Sequence, residues 1–129
     1  MEPIVIADTD VVINFFSGAE PSASIVTRLI EDDRLALTSV TVFELFAGIT
    51  GTKRLTQVRD LIAAVPIFPL GKSEAEEGAR IYNELKKGGT LIGNQDILIA
   101  GICVAHDKAL FSKNKDHFSR IPNLKLFGT

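Results

Sequence analysis

The chain has very few of the residues on which disulfide and zinc sites depend. It contains one cysteine, Cys103, and two histidines, His106 and His117. A single cysteine excludes an internal disulfide and is typical of a small buried side chain in a reducing compartment, so we expect a cytoplasmic protein. Two histidines without suitably spaced cysteines are too few for a zinc site. Any chemistry is therefore expected to depend on carboxylates.

Long apolar segments are also missing, and no secretion signal is expected. The longest apolar run, residues 97–105, is far shorter than the roughly 20 residues that span a bilayer. The N-terminal sequence MEPIVIAD lacks the basic start of a signal peptide. With 129 residues, 46% of them apolar and 23% charged, the chain is expected to form one globular domain over residues 1–129, without contact to a membrane.

Short apolar segments alternate with segments of helical periodicity along the chain. The expected strands are residues 4–7, 35–38, 66–70, 109–112 and 124–127. The expected helices are residues 11–16, 25–30, 40–48, 53–64, 73–87 and 96–106. Alternation of this kind predicts an α/β fold with a parallel sheet covered by helices on both sides.

Acidic residues stand at three points where an apolar segment gives way to a helix, namely Asp8, Glu44 and Asp96. In a parallel α/β sheet these junctions face the same edge, so the three carboxylates are expected in one cleft. Clustered like charges are costly unless a cation neutralises them, which predicts a hard divalent metal. Each residue also has a purely structural interpretation, as a helix N-cap, a capping-box partner or a first-turn carboxylate.

Other polar residues near these junctions are candidates for supporting roles. Asn114 follows the fourth expected strand as Asp8 follows the first, and it is either a further metal ligand or a turn residue. Thr9 and Ser112 are expected either to hold a carboxylate in position by hydrogen bonding or to cap helices. Asp10 points the same way as Asp8 if the chain is extended there, and is a first-turn carboxylate if the helix has begun.

Several segments occur in an order that is informative as a set: IVIADTDVVINFF at residues 4–16, LTSVTVFELFAG at residues 37–48, and residues 92–126. Together they resemble the four motifs of the PIN-domain family and, within it, the VapC-type toxins of prokaryotic toxin–antitoxin pairs. The resemblance implies a three-layer α/β/α sandwich with a five-stranded parallel sheet. It also implies endoribonuclease activity that depends on Mg²⁺ or Mn²⁺, a homodimer, and a small antitoxin that covers the cleft.

The resemblance also assigns roles to individual residues. Asp8, Glu44 and Asp96 would be the acidic triad that binds the metal. Asn114 falls where many members have Asp and others Asn; it is a further candidate ligand, and its missing charge leaves open whether one or two metal ions bind. Asp96 or Glu44 would orient or deprotonate the attacking water.

Charge is unevenly distributed along the chain, whose net charge is −2. Residues 107–125 are net positive, and the remainder is net negative. A basic segment beside an acidic cleft fits a phosphate backbone steered to a metal, and a solvated surface of mixed charge fits equally well. Given the resemblance, Lys113, Lys115 and Arg120 are the candidates for binding RNA.

Two other functions are compatible with the sequence. Residues 8–12, DTDVV, fit the D-x-D-x-T/V opening of haloacid-dehalogenase-like phosphatases, with Asp8 as nucleophile and Thr38 or Ser39 as the hydroxyl after the second strand. That interpretation leaves Glu44 and the C-terminal segment without a role. The other alternative is a PIN-like module that binds RNA or protein without cutting.

Overall fold

One parallel sheet forms the centre of the computed structural model, which describes residues 2–128. The strands are β1 (Val5–Ala7), β2 (Leu35–Thr38), β3 (Ile67–Phe68) and β4 (Ala109–Phe111), in the spatial order β3-β2-β1-β4. The helices are α1 (Thr9–Ser17), α2 (Ser22–Glu31), α3 (Ser39–Ala47), α4 (Thr52–Ala64), α5 (Lys72–Lys87), α6 (Asn94–Ala105) and α7 (Lys115–Phe118). The strand order changes direction at β1 and β4, and the carboxyl ends of strands at such a point are where α/β sheets bind ligands.

Side chains alternate between the two faces of the sheet because the strands are extended. Val5 and Ala7 pack on one face, in an apolar cluster with residues of α1, α2 and α4. Ile6, between them, packs on the other face with residues of α5 and α6. In β4 the same alternation separates Phe111 from Leu110. Helices therefore cover both faces, and the prediction of an α/β fold with a parallel sheet is confirmed.

The prediction of a fifth strand at residues 124–127 is wrong, because the sheet of the described chain has four strands, not five. The C-terminal segment instead makes an isolated parallel bridge between Leu110 and Leu126. The Leu110 N–H donates to the Lys125 carbonyl at 2.9 Å. Asn123 has a positive φ of 70°, so the chain turns just before this segment. The chain turns again at Phe127 and Gly128, so the pairing is limited to the single bridge at Leu126.

The opposite edge of the sheet is formed by β3, which is only two residues long. Pro66 and Pro69 flank it, and proline cannot donate a ladder hydrogen bond. The expected edge strand at residues 66–70 is therefore present in shortened form. Leu37 N–H still donates to the Pro66 carbonyl at 3.0 Å, so β2 is paired on this side as well.

Two helices begin two residues earlier than the sequence predicted. Helix α1 begins at Thr9, because the side chain of Asp8 caps it, and α6 begins at Asn94 after an extended Gly93. Asp96 is still in the first turn of α6, as expected. None of the helices in residues 2–128 is both long and apolar enough to cross a bilayer.

Helices α5 and α6 cross at very close range. Gly101 of α6 faces Gly78 of α5, and a Cβ atom on Gly101 would lie 2.8 Å from the Gly78 nitrogen. It would also lie 3.0 Å from the Glu74 carbonyl oxygen, so side-chain rearrangement cannot relieve the contact. The absence of a side chain on Gly101 thus sets the distance between α5 and the helix that carries Asp96.

Candidate active site

Asp8 lies at the carboxyl end of β1 and is almost completely buried, with 5% of its surface exposed. Its backbone is extended and α1 starts at the next residue, so Asp8 is the N-cap of that helix. Oδ1 accepts a hydrogen bond from the Thr9 N–H at 2.8 Å, and Oδ2 accepts one from the Ser112 hydroxyl at 2.8 Å. Asp8 therefore caps α1 and, as expected, also accepts a hydrogen bond from Ser112.

The carboxyl group of Asp8 holds its proton more tightly than an exposed aspartate does. Burial is the largest cause, and the pKa rises from its ordinary value of 3.8 to about 6. Hydrogen bonds from Ser112 and Thr9 lower the pKa, whereas the negative charges of Asp96 and Asp10 raise it. The carboxylates of Asp8, Asp10 and Asp96 are thus close enough to interact, and a bound cation would relieve their repulsion.

Glu44 lies on α3, half-buried, and is connected to the Asp8 segment through Thr9. The Thr9 hydroxyl donates to Glu44 Oε1 at 2.7 Å. Thr41, one helical turn before Glu44, has its hydroxyl oxygen 2.9 Å from that of Thr9 and donates to it, because the single Thr9 proton is already used. The capping alternative for Glu44 does not occur, since Thr38 caps α3 by accepting from the Thr41 N–H.

Asp96 faces a polar group on the short helix α7. Its Oδ2 lies 3.5 Å from Nδ1 of His117. The same ring nitrogen lies 2.7 Å from the side-chain amide of Asn114, whose backbone N–H donates to the Ser112 hydroxyl at 2.9 Å. Asn114 therefore links the two acidic residues. Its backbone N–H bonds Ser112, which bonds Asp8, and its side chain bonds His117, which lies beside Asp96.

Sequence reasoning did not single out His117 or Thr41 for the site. The available signal was spacing, because residues three apart on a helix or a helical turn lie side by side. His117 follows Asn114 by three residues, and Thr41 precedes Glu44 by three. The spacing matches the contact between His117 and Asn114, but Thr41 bonds Thr9 rather than Glu44, and spacing does not indicate that partner.

A cavity of about 340 Å³ opens beside the acidic residues. It is lined by Asp10, Ile13, Asn14, Lys113 and Asn114. Because α1 starts at Thr9, Asp10 is a first-turn carboxylate, as in the second interpretation of the sequence. Lys113 is exposed and brings a positive charge to the wall of this cavity.

The other two expected RNA contacts make hydrogen bonds away from this cavity. Lys115 Nζ donates to the Gly128 carbonyl at 3.4 Å, and Arg120 Nη1 donates to the Thr90 carbonyl at 3.5 Å. Both residues are exposed. Of the three basic candidates, only Lys113 is among the residues that line the cavity beside the acidic residues, and RNA binding by all three remains a prediction.

The oxygen atoms at this edge of the sheet are suited to a hard divalent cation. Mg²⁺ is usually held in proteins by one or two carboxylates, retains several waters, and takes further oxygens from phosphates. Within residues 2–128, no three acidic, histidine or cysteine side chains are arranged to hold an ion by themselves. The donor set that the structure brings together is the buried Asp8 with its neighbour Asp96, and this set fits the preference of Mg²⁺.

The hydrogen bond from Ser112 gives a direct test of the environment of Asp8. We expect Ser112→Ala to raise the pKa of Asp8 above about 6, because a hydrogen bond to a charged group contributes roughly 1.5–3 kcal/mol in favour of the ionised form. NMR titration of the carboxyl carbons would measure the change. Ser119→Ala, which removes an exposed hydroxyl bonded to the Asp116 carbonyl, is the matched control. An Asp8 titration that is unchanged in Ser112→Ala would contradict the assigned hydrogen bond.

Comparison with known proteins gives matches that extend over nearly the whole chain. The model of the PIN domain family matches residues 5–124. Ribonuclease VapC1 of Methanocaldococcus jannaschii is 30% identical over 127 residues, which cover 98% of this chain and 85% of that protein. The structure of DNA-bound VapBC from Salmonella typhimurium has a TM-score of 0.86 at 23% identity and covers 97% of both chains. VapBC-1 from nontypeable Haemophilus influenzae has a TM-score of 0.78 at 26% identity, over 95% of this chain and 96% of that one.

The structural likeness agrees with the α/β fold and its parallel sheet. The family match begins at the first residue of β1 and continues past β4, so it includes Asp8, Glu44, Asp96 and Asn114. The chain therefore belongs to the PIN-domain family.

Proposed function

We propose that this chain is a metal-dependent endoribonuclease and the toxin of a type II toxin–antitoxin pair. The proposal depends mainly on the buried carboxyl group of Asp8, next to the charges of Asp96 and Asp10 at the carboxyl edge of the sheet. The ribonuclease VapC relative, which is similar over almost the whole chain, supports RNA as the substrate. Membership of the PIN-domain family supports the same activity.

The proposed cofactor is Mg²⁺ or Mn²⁺, held by Asp8 and Asp96. Glu44 and Asn114 are further oxygen donors at the same edge, and the neutral side chain of Asn114 favours a single ion. When bound, such an ion supplies a Lewis acid for the scissile phosphate and offsets the negative charge that develops on it. Hydrogen bonds from Thr9 and Ser112 fix both oxygens of Asp8 and so orient the carboxylate before the ion binds.

The remaining residues of the site would act on the water and on the substrate. Glu44, whose Oε1 is fixed by the Thr9 hydroxyl, is proposed to orient the attacking water and accept its proton. Lys113 would contact a phosphate from the wall of the adjacent cavity. Lys115 and Arg120 would contact the RNA farther from the cleaved bond. To do so, each would give up its present hydrogen bond to a backbone carbonyl.

The proposed partners are an RNA substrate, a small antitoxin and a second copy of this chain. Similar chains have been solved as VapBC complexes, which supports an antitoxin partner. The homodimer is an implication of the family, and a cytoplasmic location follows from the proposed RNA substrate. The phosphatase alternative receives no support, since the chain belongs to another family and the Thr38 hydroxyl caps α3.

Cleavage of a mixed RNA pool by the purified protein tests the proposed function. We expect internal cleavage with Mg²⁺ or Mn²⁺, complete loss of cleavage in EDTA, and recovery when either ion is restored in excess. Gel analysis of end-labelled RNA would measure the cleavage under each condition. Hydrolysis of a small phosphomonoester, assayed in parallel, would detect phosphatase activity. Binding without cleavage would favour the non-cutting module, and cleavage that persists in EDTA would exclude the metal-dependent mechanism.

A further inference from the structure

Arg54, in the first turn of α4, carries a positive charge that no acidic side chain neutralises within the described residues. Its guanidinium carbon lies 5.2 Å from the centre of the Phe16 ring. Its Nη1 is buried and has no hydrogen-bond partner in residues 2–128. A buried donor without a partner opposes stability, so contacts within residues 2–128 do not by themselves explain the position of Arg54.

Arg54 shares a cavity with Glu44. The cavity has a volume of about 230 Å³, and its wall includes Ile13, Thr50 and apolar residues of α3 and α4. The two charged residues do not form an ion pair there. Oε1 of Glu44 accepts from Thr9 instead, so the guanidinium charge remains available to an anion that enters the cavity.

Ile13 lines both this cavity and the cavity beside Asp10. The side chain is exposed and lines both cavities, with Lys113 and Asn114 on one side and Glu44 with Arg54 on the other. Each cavity therefore has one basic residue in its wall, Lys113 in one and Arg54 in the other, and the two walls have Ile13 in common. A strand with a negative charge on every nucleotide is repelled by the carboxylates of the site, and a cation on each side offsets that repulsion.

We propose that Arg54 binds an RNA phosphate in the cavity that it shares with Glu44, in addition to the phosphate contact proposed for Lys113 in the other cavity. The inference rests on the endoribonuclease function proposed above and adds a binding residue that lies outside the basic segment 107–125. A guanidinium group matches a phosphate through two parallel hydrogen bonds. Contact with the Phe16 ring restricts the side chain before RNA binds, which lowers the entropy lost on binding.

The test compares Arg54→Met and Arg54→Lys with Arg59→Met, which removes an exposed charge from the same helix. A hydrogen bond to a charged group contributes roughly 1.5–3 kcal/mol, so Arg54→Met is expected to raise KM about 10- to 100-fold. Its kcat should stay close to that of the parent, because the contact already exists in the bound ground state. Arg54→Lys should lose less, since it retains the charge, and Arg59→Met should resemble the parent protein.

Salt dependence of binding provides a second measurement that is independent of cleavage. RNA affinity is measured in Ca²⁺ by fluorescence anisotropy over a range of KCl concentrations. Loss of one phosphate contact should reduce the slope of log affinity against log salt by about 0.7 for a single strand, equally for RNAs of different sequence. Thermal unfolding checks that the variants fold, and if Arg54→Met does not, Arg54→Lys and Arg54→Gln take its place.

The outcomes separate this inference from the proposed function. If the parent protein cuts no RNA, the proposed function fails. If the parent cuts RNA and Arg54→Met matches it in KM and salt slope, the inference alone fails. A loss confined to RNAs with one particular base would indicate a base contact, and a fall in kcat at constant KM would indicate an effect through Glu44. Either result would overturn the phosphate assignment.

Discussion

Replacing Asp8 with asparagine is expected to reduce RNA cleavage roughly a thousandfold while stabilising the metal-free protein at neutral pH. The loss of activity follows because charge stabilisation by a metal ion contributes several kcal/mol to the transition state, and the variant loses the buried carboxylate that would hold the ion. Single-turnover cleavage of a defined RNA in Mg²⁺ or Mn²⁺ measures the first effect. A variant that retains the parent rate would remove Asp8 from the mechanism.

The gain in stability follows from the raised pKa of Asp8. Well below pH 3.8 the carboxyl group is protonated in both the folded and the unfolded state, so it does not affect their balance. Between 3.8 and about 6 the unfolded chain loses its proton while the folded protein keeps it, and the free energy of unfolding falls as pH rises. Above about pH 6 the buried charge lowers stability by up to about 3 kcal/mol, at 1.36 kcal/mol for each pKa unit.

Urea unfolding in EDTA between pH 4 and pH 8 measures this contribution. We expect the parent protein to lose stability through pH 4–6 and Asp8→Asn to lose less, so that the variant is the more stable of the two at pH 7. Asp60→Asn, an exposed substitution on α4, controls for the loss of a negative charge in general. If the free energy of unfolding changed with pH equally in the parent and in Asp8→Asn, burial of the Asp8 charge would not be what lowers stability.

A methyl group at Gly101 is expected to destabilise the fold. In an ordinary helix, glycine to alanine gains about 0.5–1 kcal/mol. At Gly101 the new Cβ would lie 2.8 Å from the nitrogen and 2.9 Å from the Cα of Gly78, and backbone atoms cannot move aside as a side chain does. Overpacking of this kind typically costs 1–3 kcal/mol and occasionally more. We therefore expect Gly101→Ala to lower the free energy of unfolding by about 2 kcal/mol.

Gly78→Ala is the matched control, because it adds the same atom to the partner helix at the same crossing. Its Cβ would meet Leu98 at 3.5 Å and the Ile97 carbonyl at 3.9 Å, which are ordinary contacts. Urea denaturation should thus show Gly78→Ala as stable as the parent or slightly more so. Equal losses in both variants would mean that the crossing tolerates no added volume at all, and equal stability of Gly101→Ala would mean that the helices can separate.

The sequence predicted the place of the site because that place depends on strand order and on residues next to strands. Asn114 was expected to follow the fourth strand as Asp8 follows the first, and these two strands, β1 and β4, are paired. The roles of these residues in catalysis and metal binding remain predictions.

The hydrogen bonds of the site could not be predicted, because they join residues far apart in the sequence. Thr9 and Glu44 are separated by 35 residues, and Ser112 and Asp8 by 104. Pattern and propensity indicate which segments form elements, but not which rotamer a hydroxyl group adopts against another element. The missing fifth strand has a similar cause. Its apolar residues fit a strand, while turns at Asn123 and at Phe127–Gly128 leave only a short segment between them.

The two edges of the sheet restrict how another protein can bind. A partner that adds its own strand needs a row of unpaired backbone groups along an exposed edge strand. On the β4 side the C-terminal segment already occupies part of that row through Leu110, and on the other side the two-residue β3 is bounded by prolines. Strand addition is disfavoured at both edges. A protein inhibitor would therefore have to recognise helix surfaces or the cavities beside the acidic residues. Such recognition depends on side-chain shape more than on backbone pairing.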